Sequence, residues 1–454
     1  MTGKGLGMAE RKEYRDKSWW LGATPYEESL PLQGDLEVDV AVVGGGFTGL
    51  SSAYYLKERD PKLKVAVLES EVVGYGASGR NGGFSMPLLG WHIAYLVWAY
   101  GPERAGRAHH FMLECVRHTR ALVAQEKMDC DLEYNGLLVL ARTPKQLWSL
   151  ERDLKAFEQI GVKDCELLDQ AALKKRLNSA WHLGALYEPE TAILNPAKLA
   201  REYKRANQAR GVAFYERTPV EKLEPGKSVV LTTPSGRVRA EKVVLALNAF
   251  ATRLKVRENV FVPMFTYIIC TEPIPDRAYQ ELGWVKREGI EDKRQLVHYL
   301  RLTRDNRLVF GGRDAPYFFG NATENRESHA ETFAGLDADL RSMFPMLKDI
   351  KVTHRWGGPV AVTLFFVPTF GYWHGHENIA YGMGYCGHGV ALSTAAGKII
   401  TDLLSGHTGQ YDELLFVHNQ PGWIPPEPFR YGLANGIRLS LRAFDSWSER
   451  NAPH

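Results

Sequence analysis

The sequence predicts an α/β chain. One domain is a parallel sheet with helices packed on it. A second, of α+β character, is discontinuous and built on a mainly antiparallel sheet. Three observations predict this. Residues 38–50, VDVAVVGGGFTGL, run from an apolar strand into a glycine turn and a helix. KVAVLES at 64–70 supplies a second strand and completes a βαβ unit. Strand-like runs dominate 261–313, and then a strand at 378–382 and a helix at 389–405 return to the first pattern.

The bulk numbers bound the function. A chain of 454 residues exceeds one core, since domains run to about 100–200 residues. Hydrophobic residues are 44% and charged residues 24%, an ordinary globular balance. The 56 Lys and Arg nearly balance the 53 Asp and Glu. That leaves no concentrated positive charge for nucleic acid. Five cysteines, Cys115, Cys130, Cys165, Cys270 and Cys386, include no CxxC pair. They imply a reducing compartment, no disulfide framework and no metal site. The N-terminus carries charges and no apolar signal segment, and no stretch is long and apolar enough to span a bilayer. Cytoplasmic location is the expectation.

Taken in order, residues 1–35 read as an arm anchored by Trp19, Trp20 and Tyr26. A strand at 38–43, a helix at 48–58 and a strand at 64–70 follow. Helices are expected at 102–127, 144–160 and 196–210, the last with Pro in its first turn. A strand is expected at 132–141. Segments 211–224, 227–236 and 237–247 read as successive strands, with PSGR at 234–237 closing a hairpin. The segment YGLANGIRLSLRAFDSWSER reads as a basic amphipathic helix. The expected partition is an arm at 1–35, a dinucleotide domain from 36–90, 187–255 and 370–410, a substrate domain from 91–186 and 256–369, and a helical tail at 411–454.

Gly44-Gly45-Gly46-Phe47-Thr48-Gly49 matches GxGxxG where a strand ends and a helix begins. Gly44 permits the turn, Gly46 admits a pyrophosphate, and Gly49 lets helix pack on strand. The helix N-terminus offers N–H groups and positive potential to phosphates. Glu69, beside Ser70, ends the next strand at the offset of an acid that grips ribose. This is a Rossmann-like unit. The absence of a following Lys-Ser/Thr excludes a P-loop.

Two further glycine-rich stretches bear on which dinucleotide binds. VVGYGASGRNGG at 72–83 places Ala77, Ser78, Arg80, Asn81, Gly82 and Gly83 in an extended loop that could pass close to a flat ring. GMGYCGHGV at 382–390 opens another helix. Its N-terminus would stabilise negative charge on a reduced flavin. His388 there is either a flavin-side donor or a packed cap residue.

These stretches, with YLRLTRDNRLVFGG and RWGG, resemble the flavin-dependent amine and amino-acid oxidases of the D-amino-acid oxidase superfamily, which includes glycine and sarcosine oxidases. The resemblance runs from about residue 19 to about residue 442. It implies FAD on the first βαβ unit, with contacts at the Gly82-Gly83 loop and at the turn holding Gly384, Gly387, His388, Gly389 and Val390. It places Val220 at the adenine. The family's next strand usually ends Ala-Thr-Gly, whereas here it is Ala246-Leu247-Asn248. Relatives that tether FAD use a His in the glycine loop or a Cys after the Trp-x-Gly strand. Here Arg80, Asn81, Pro359 and Val360 stand there, so noncovalent FAD is expected.

Glycine-oxidase-like members hold the substrate carboxylate with an Arg two residues after Trp-x-Gly; here that residue is Val360. The substrate expected is therefore an amine of the gamma-glutamylputrescine kind, or another whose carboxylate is remote. The candidate pocket is Tyr267, Trp356, Val360, Phe365 and Phe366, an aromatic wall suited to an amine. The best catalytic candidates are His298, Tyr299 and His388, while His109-His110 reads as structural. The implied reaction is hydride transfer to flavin N5, hydrolysis of the imine to an aldehyde, and reduction of O2 to H2O2. Oxidation of glycine, sarcosine or D-amino acids, a dehydrogenase passing electrons to quinone, and a non-catalytic flavin-binding subunit are the alternatives. The basic helix with Arg438, Arg442 and Arg450 either lies on a membrane or packs on the protein.

Overall fold

The computed structural model describes residues 13–411, 413–419, 421–450 and 452. Two eight-stranded sheets organise these residues. The first is centred on Leu36–Val43, which pairs in parallel with Val65–Leu68 on one side and Gly236–Leu245 on the other. Ala213–Tyr215 and His376–Met383 extend it in parallel, and Thr369–Trp373 closes one edge antiparallel. The hairpin expected at 234–237 joins Val229–Thr233 to Gly236–Leu245, with Thr233 opposite Gly236. Strands far apart in sequence thus share one sheet, because a parallel strand needs a crossover before it can pair.

Val40–Val43 are buried, as expected of a central strand covered on both faces. One cover is the helix Phe47–Arg59 together with Val390–Leu404. Ser51 Oγ of the first donates to the Thr394 carbonyl of the second at 2.7 Å. The Val390–Leu404 sequence is apolar almost throughout, and it is buried almost throughout.

The second sheet runs Val352–Thr363, Phe261–Pro273, Arg307–Gly312, His298–Leu302, Gly289–Asp292, Leu137–Ala141, Gly184–Glu188, Glu166–Asp169. Every pairing in it is antiparallel except Gly289–Asp292 with Leu137–Ala141. Its outer face packs on the helix Ala330–Met343 through Phe265, Tyr267, Leu300 and Phe310. That helix and the strands Gly184–Glu188 and Gly289–Asp292 go unnamed in the sequence analysis, while the Trp-x-Gly strand expected around Trp356 spans Val352–Thr363. The helix expected at 102–127 begins at Ile93 and runs to Gln125, broken at Gly101 (φ 79°) before Pro102. The strand expected at 132–141 begins at Leu137.

The first twelve residues of the arm lie outside the described residues. Trp20 is buried, and its indole donates to the Asn81 carbonyl at 3.0 Å. Further along, the fully buried Glu216 carboxylate gathers the arm onto the first sheet. It accepts the Tyr26 hydroxyl, Ser29 N–H at 2.6 Å, Val73 N–H at 2.6 Å and Lys204 Nζ at 2.7 Å. The helix Phe429–Ser448 is docked by Arg438 on Asp314 (Nε at 2.6 Å) and by Asp445, which accepts Gln295 and Leu296 N–H groups. No helix among the described residues is long and apolar enough to cross a membrane.

Glu216→Ala strands a buried ammonium and three other donors at once. It should lower stability by about 3–5 kcal/mol, read as a fall in the urea midpoint. A loss under 1 kcal/mol would show that the arm is held by packing alone.

Candidate active site

The glycine turn brings helix onto strand more closely than any side chain would allow. Gly44 has φ 108°, and a Cβ on Gly49 would stand 1.9 Å from the Gly44 carbonyl oxygen. The N–H of Gly45 donates to Glu69 Oε2 at 2.7 Å, and that of Phe47 to Ser78 Oγ at 2.9 Å. The second strand's acid and the 72–83 loop are thus tied to the turn itself. Glu69 also accepts Glu71 N–H at 2.9 Å and Ser70 Oγ at 3.3 Å. Burial pushes its pKa up against these donors.

One cavity joins this turn to the second sheet. Of the cofactor candidates, Gly44, Gly46, Phe47, Thr48, Glu69, Ser70, Ala77, Ser78, Arg80, Asn81, Gly82, Val220, Gly387, His388, Gly389 and Val390 line it. Gly45, Gly49, Gly83 and Gly384 do not. Gly45 and Gly49 close the turn from behind. The Gly83 carbonyl accepts the Leu194 N–H at 2.8 Å, and Gly384 N–H donates to Asn248 Oδ1 at 3.1 Å. Ala246, Leu247 and Asn248 line the cavity although they depart from the family's Ala-Thr-Gly.

The 72–83 loop is clamped from outside by two indoles. Trp20 holds the Asn81 carbonyl, and Trp356 Nε1 donates to the Arg80 carbonyl at 2.8 Å. Arg80 is committed to the Tyr75 carbonyl at 2.8 Å and faces Glu327 at 3.6 Å. At the opposite wall, Thr48 Oγ1 meets Tyr385 OH at 2.6 Å, joining the two helix starts. Burial, opposed by the Cys386 backbone, lowers the His388 pKa to about 4, so its imidazole is neutral near pH 7, and among the described residues its buried Nδ1 makes no hydrogen bond. Burial pushes the Cys386 thiol up to about 11. Sγ donates to the Gly384 carbonyl at 3.1 Å.

The far end of the cavity belongs to the second sheet: Thr266, Glu291, Val297, Tyr299, Gly358, Pro359 and Val360, with Phe84 and Met86. Tyr299 crosses its neighbour strand where Gly311 is bare; a Cβ there would stand 2.5 Å from the ring.

Successive strand residues face opposite sides. His298, next to Tyr299, therefore points away from the cavity. It is fully buried, with Nδ1 2.6 Å from Asp292 and Nε2 3.1 Å from Asp339. Burial alone would lower its pKa, but Asp292 and then Asp339 raise it above the usual value. It sits between two carboxylates that favour its protonated form, and it does not face substrate. Tyr267, next to Thr266, likewise turns outward, stacks on His329 and donates to the Arg326 carbonyl at 2.8 Å. Trp356 lies on the inner face but under the Arg80 backbone. Phe365 is exposed and Phe366 packs on Trp91, so neither lines the cavity.

The sequence reading misses Glu291. REGIEDKRQ is so charged that it passes for a loop, yet Ile290 and Glu291 pair with Leu300 and Tyr299. Among the described residues no cluster of His, Cys, Asp or Glu is placed to hold a metal ion.

A dinucleotide-type turn with its acid, a second glycine-rich helix start carrying a neutral buried imidazole, and a strand wall beyond them define a class. In it a flavin dinucleotide spans from the first sheet to the second. Residues 39–403 match the family described as FAD dependent oxidoreductase (DAO), and the chain belongs to that family. Its cofactor is FAD, and the residues above fit it. The chain is 32% identical over 412 residues to the gamma-glutamylputrescine oxidoreductase of Escherichia coli (strain K12), covering 90% of this chain and 93% of that one. It is 25% identical over 383 residues to a glycine oxidase of Bacillus licheniformis, covering 81% and 93%. The crystal structure of glycine oxidase from Geobacillus kaustophilus superposes with a TM-score of 0.71 at 22% identity, covering 85% of this chain and 99% of that one. This last likeness concerns the fold.

His298 bears on stability, with a definite sign. A group whose folded pKa is raised contributes fully below the unfolded value of about 6.5 and loses that contribution as pH rises through the folded value. His298→Gln should therefore cost about 3 kcal/mol at pH 6 and less at pH 9.5, in urea titrations of the FAD-loaded protein. Equal losses at both pH values would refute the cationic assignment.

Proposed function

We propose that this enzyme oxidises the C–N bond of an amine whose carboxylate, if present, is remote from the reacting nitrogen, as in gamma-glutamylputrescine. The single observation behind this reading is the composition of the cavity's far end. Val360 stands where an α-carboxylate clamp would need a guanidinium. The two arginines on the cavity wall are committed elsewhere, Arg80 as described and Arg253 to Glu324 at 2.5 Å. An α-amino acid would bring its carboxylate into a slot with no cation to receive it.

When bound, FAD supplies the hydride acceptor for the C–H next to nitrogen. The chain does the rest. Tyr299, Val297, Phe84, Met86 and Val360 exclude water, which favours the neutral, reactive amine. Neutral His388 at the Val390–Leu404 helix start directs an N–H or a lone pair into the cavity without bringing a full charge. The product is an imine that water splits to an aldehyde, with O2 as terminal acceptor and H2O2 formed. The 32% identical relative, a gamma-glutamylputrescine oxidoreductase, supports this choice of amine.

FAD is held without a covalent bond. Arg80 and Asn81 occupy one tether position and Pro359 and Val360 the other, and Cys386 stays a protonated, hydrogen-bonded thiol at neutral pH.

Acid precipitation of the yellow protein should leave the flavin in the supernatant; flavin retained in the pellet would contradict noncovalent binding. In an anaerobic screen, diamines and acylated polyamines should bleach the flavin at least ten times faster than glycine, sarcosine or D-alanine. Val360→Arg should narrow that gap. Preference for the amino acids in the unmodified enzyme would overturn the proposed substrate class.

A further inference from the structure

The substrate end of the cavity carries an acid that the reaction above leaves without a role. Glu291 is 8% exposed and lines the cavity, yet its carboxylate has no hydrogen bond or ion pair among the described residues. Glu188, on the strand Gly184–Glu188, lies two strands across in register with Gly289, outside the cavity lining, and also has no hydrogen bond or ion pair among the described residues. The nearby ammonium, Lys293, is bound to Asp153 of the helix Pro144–Gln159. One cation is thus spent on one anion, and two carboxylates remain without a counter-charge. Burying an unpaired carboxylate is costly; protonation relieves that cost in the empty site, and a cation entering the cavity would relieve it in the occupied one.

Resting on the amine-oxidase reading, we propose that Glu291 is the catalytic residue that captures the substrate's ammonium group and takes its proton. The ammonium enters as a cation and pairs with ionised Glu291. In the water-poor slot the N–H bond breaks and an O–H bond forms on Glu291, leaving a neutral acid beside a neutral amine. No net charge is then buried, and the nitrogen lone pair is free for C–H oxidation. Glu188 is a positioning residue: its charge raises the proton affinity of Glu291. Where the pair is ionised it would also repel an α-carboxylate, so as pH rises the site selects for simple amines as well as activating them.

The groups facing Glu291 set the pH at which this operates. They are Glu188, the adjacent Asp292 (held by His298), Lys293 with Asp153, and Tyr299 across the strand pair. Burial first, then Glu188 and Asp292, raise the Glu291 pKa to about 8, against the pull of Lys293. Burial and Asp153 raise Glu188 to about 7. His92, beside Lys293 and Asp153, is lowered to about 3 by burial and stays neutral. Cation binding should therefore strengthen as pH rises through the Glu291 value.

The test uses the FAD-loaded enzyme and two readouts. Tetramethylammonium, which has neither an N–H nor a lone pair, is titrated against the oxidised flavin spectrum. It should bind tighter as pH rises from 6.5 to 9, and at pH 9 Glu291→Gln should weaken it at least tenfold. Glu188→Gln should keep the binding and move its midpoint to lower pH. In anaerobic bleaching by a diamine, Glu291→Gln should be at least tenfold slow at pH 7.5 and recover most of the deficit near pH 10.5, where the amine arrives neutral. Unchanged tetramethylammonium binding, or a deficit equal at both pH values, would overturn the proposal while leaving the amine-oxidase reading intact. If no amine bleaches the unmodified enzyme but the cation still binds through Glu291, the reaction falls and the cation site stands.

Discussion

The structure depends on one close approach, the seating of the Phe47–Arg59 helix against the end of the central strand. The α-carbon of Gly49 packs on the Gly44 carbonyl at a distance no Cβ tolerates. That contact sets where the helix starts, and so where its N–H groups and positive potential point. Glu69 and Ser78 bond to the same turn, so the ribose acid and the 72–83 loop are placed by it too. The loop's far side is gripped by Trp20 and Trp356, which carries the position of the turn across to the second sheet. Cofactor cradle and substrate wall are in this way one connected object.

The buried charges follow a pattern. Glu216 is satisfied four times over where the arm meets the first sheet, and His298 sits between two carboxylates where the second sheet meets its helix. Buried ions with complete partners hold structure together. Two groups that line the cavity differ: among the described residues the His388 Nδ1 and the Glu291 carboxylate make no hydrogen bond. An unpartnered buried group is a standing cost, and where it lines a cavity a ligand can relieve it.

The strand–turn–helix, the acid at its proper offset and the two later glycine stretches were all legible, because backbone needs at those points admit few residue types. So was the absence of an arginine at Val360, a matter of identity at one position. The aromatic pocket was not legible. Tyr267 and Phe365 look like pocket walls by composition, but strand alternation turns Tyr267 outward and a loop carries Phe365 to the surface. The pair His298-Tyr299 could not both face inward, and periodicity alone does not say which does. Glu291 was hidden for the opposite reason: its charged neighbours mimic a loop, while the ladder to Tyr299 makes the segment a strand.

By itself, then, the sequence determined the cofactor, since phosphate, ribose and ring each impose local backbone chemistry that short stretches record. Only the tertiary structure decided the substrate end. There the lining comes from strands hundreds of residues apart, and a side chain's role depends on which face of a twisted sheet it occupies and on which charges are left unpaired beside it. Those are properties of packing, and no single segment carries them.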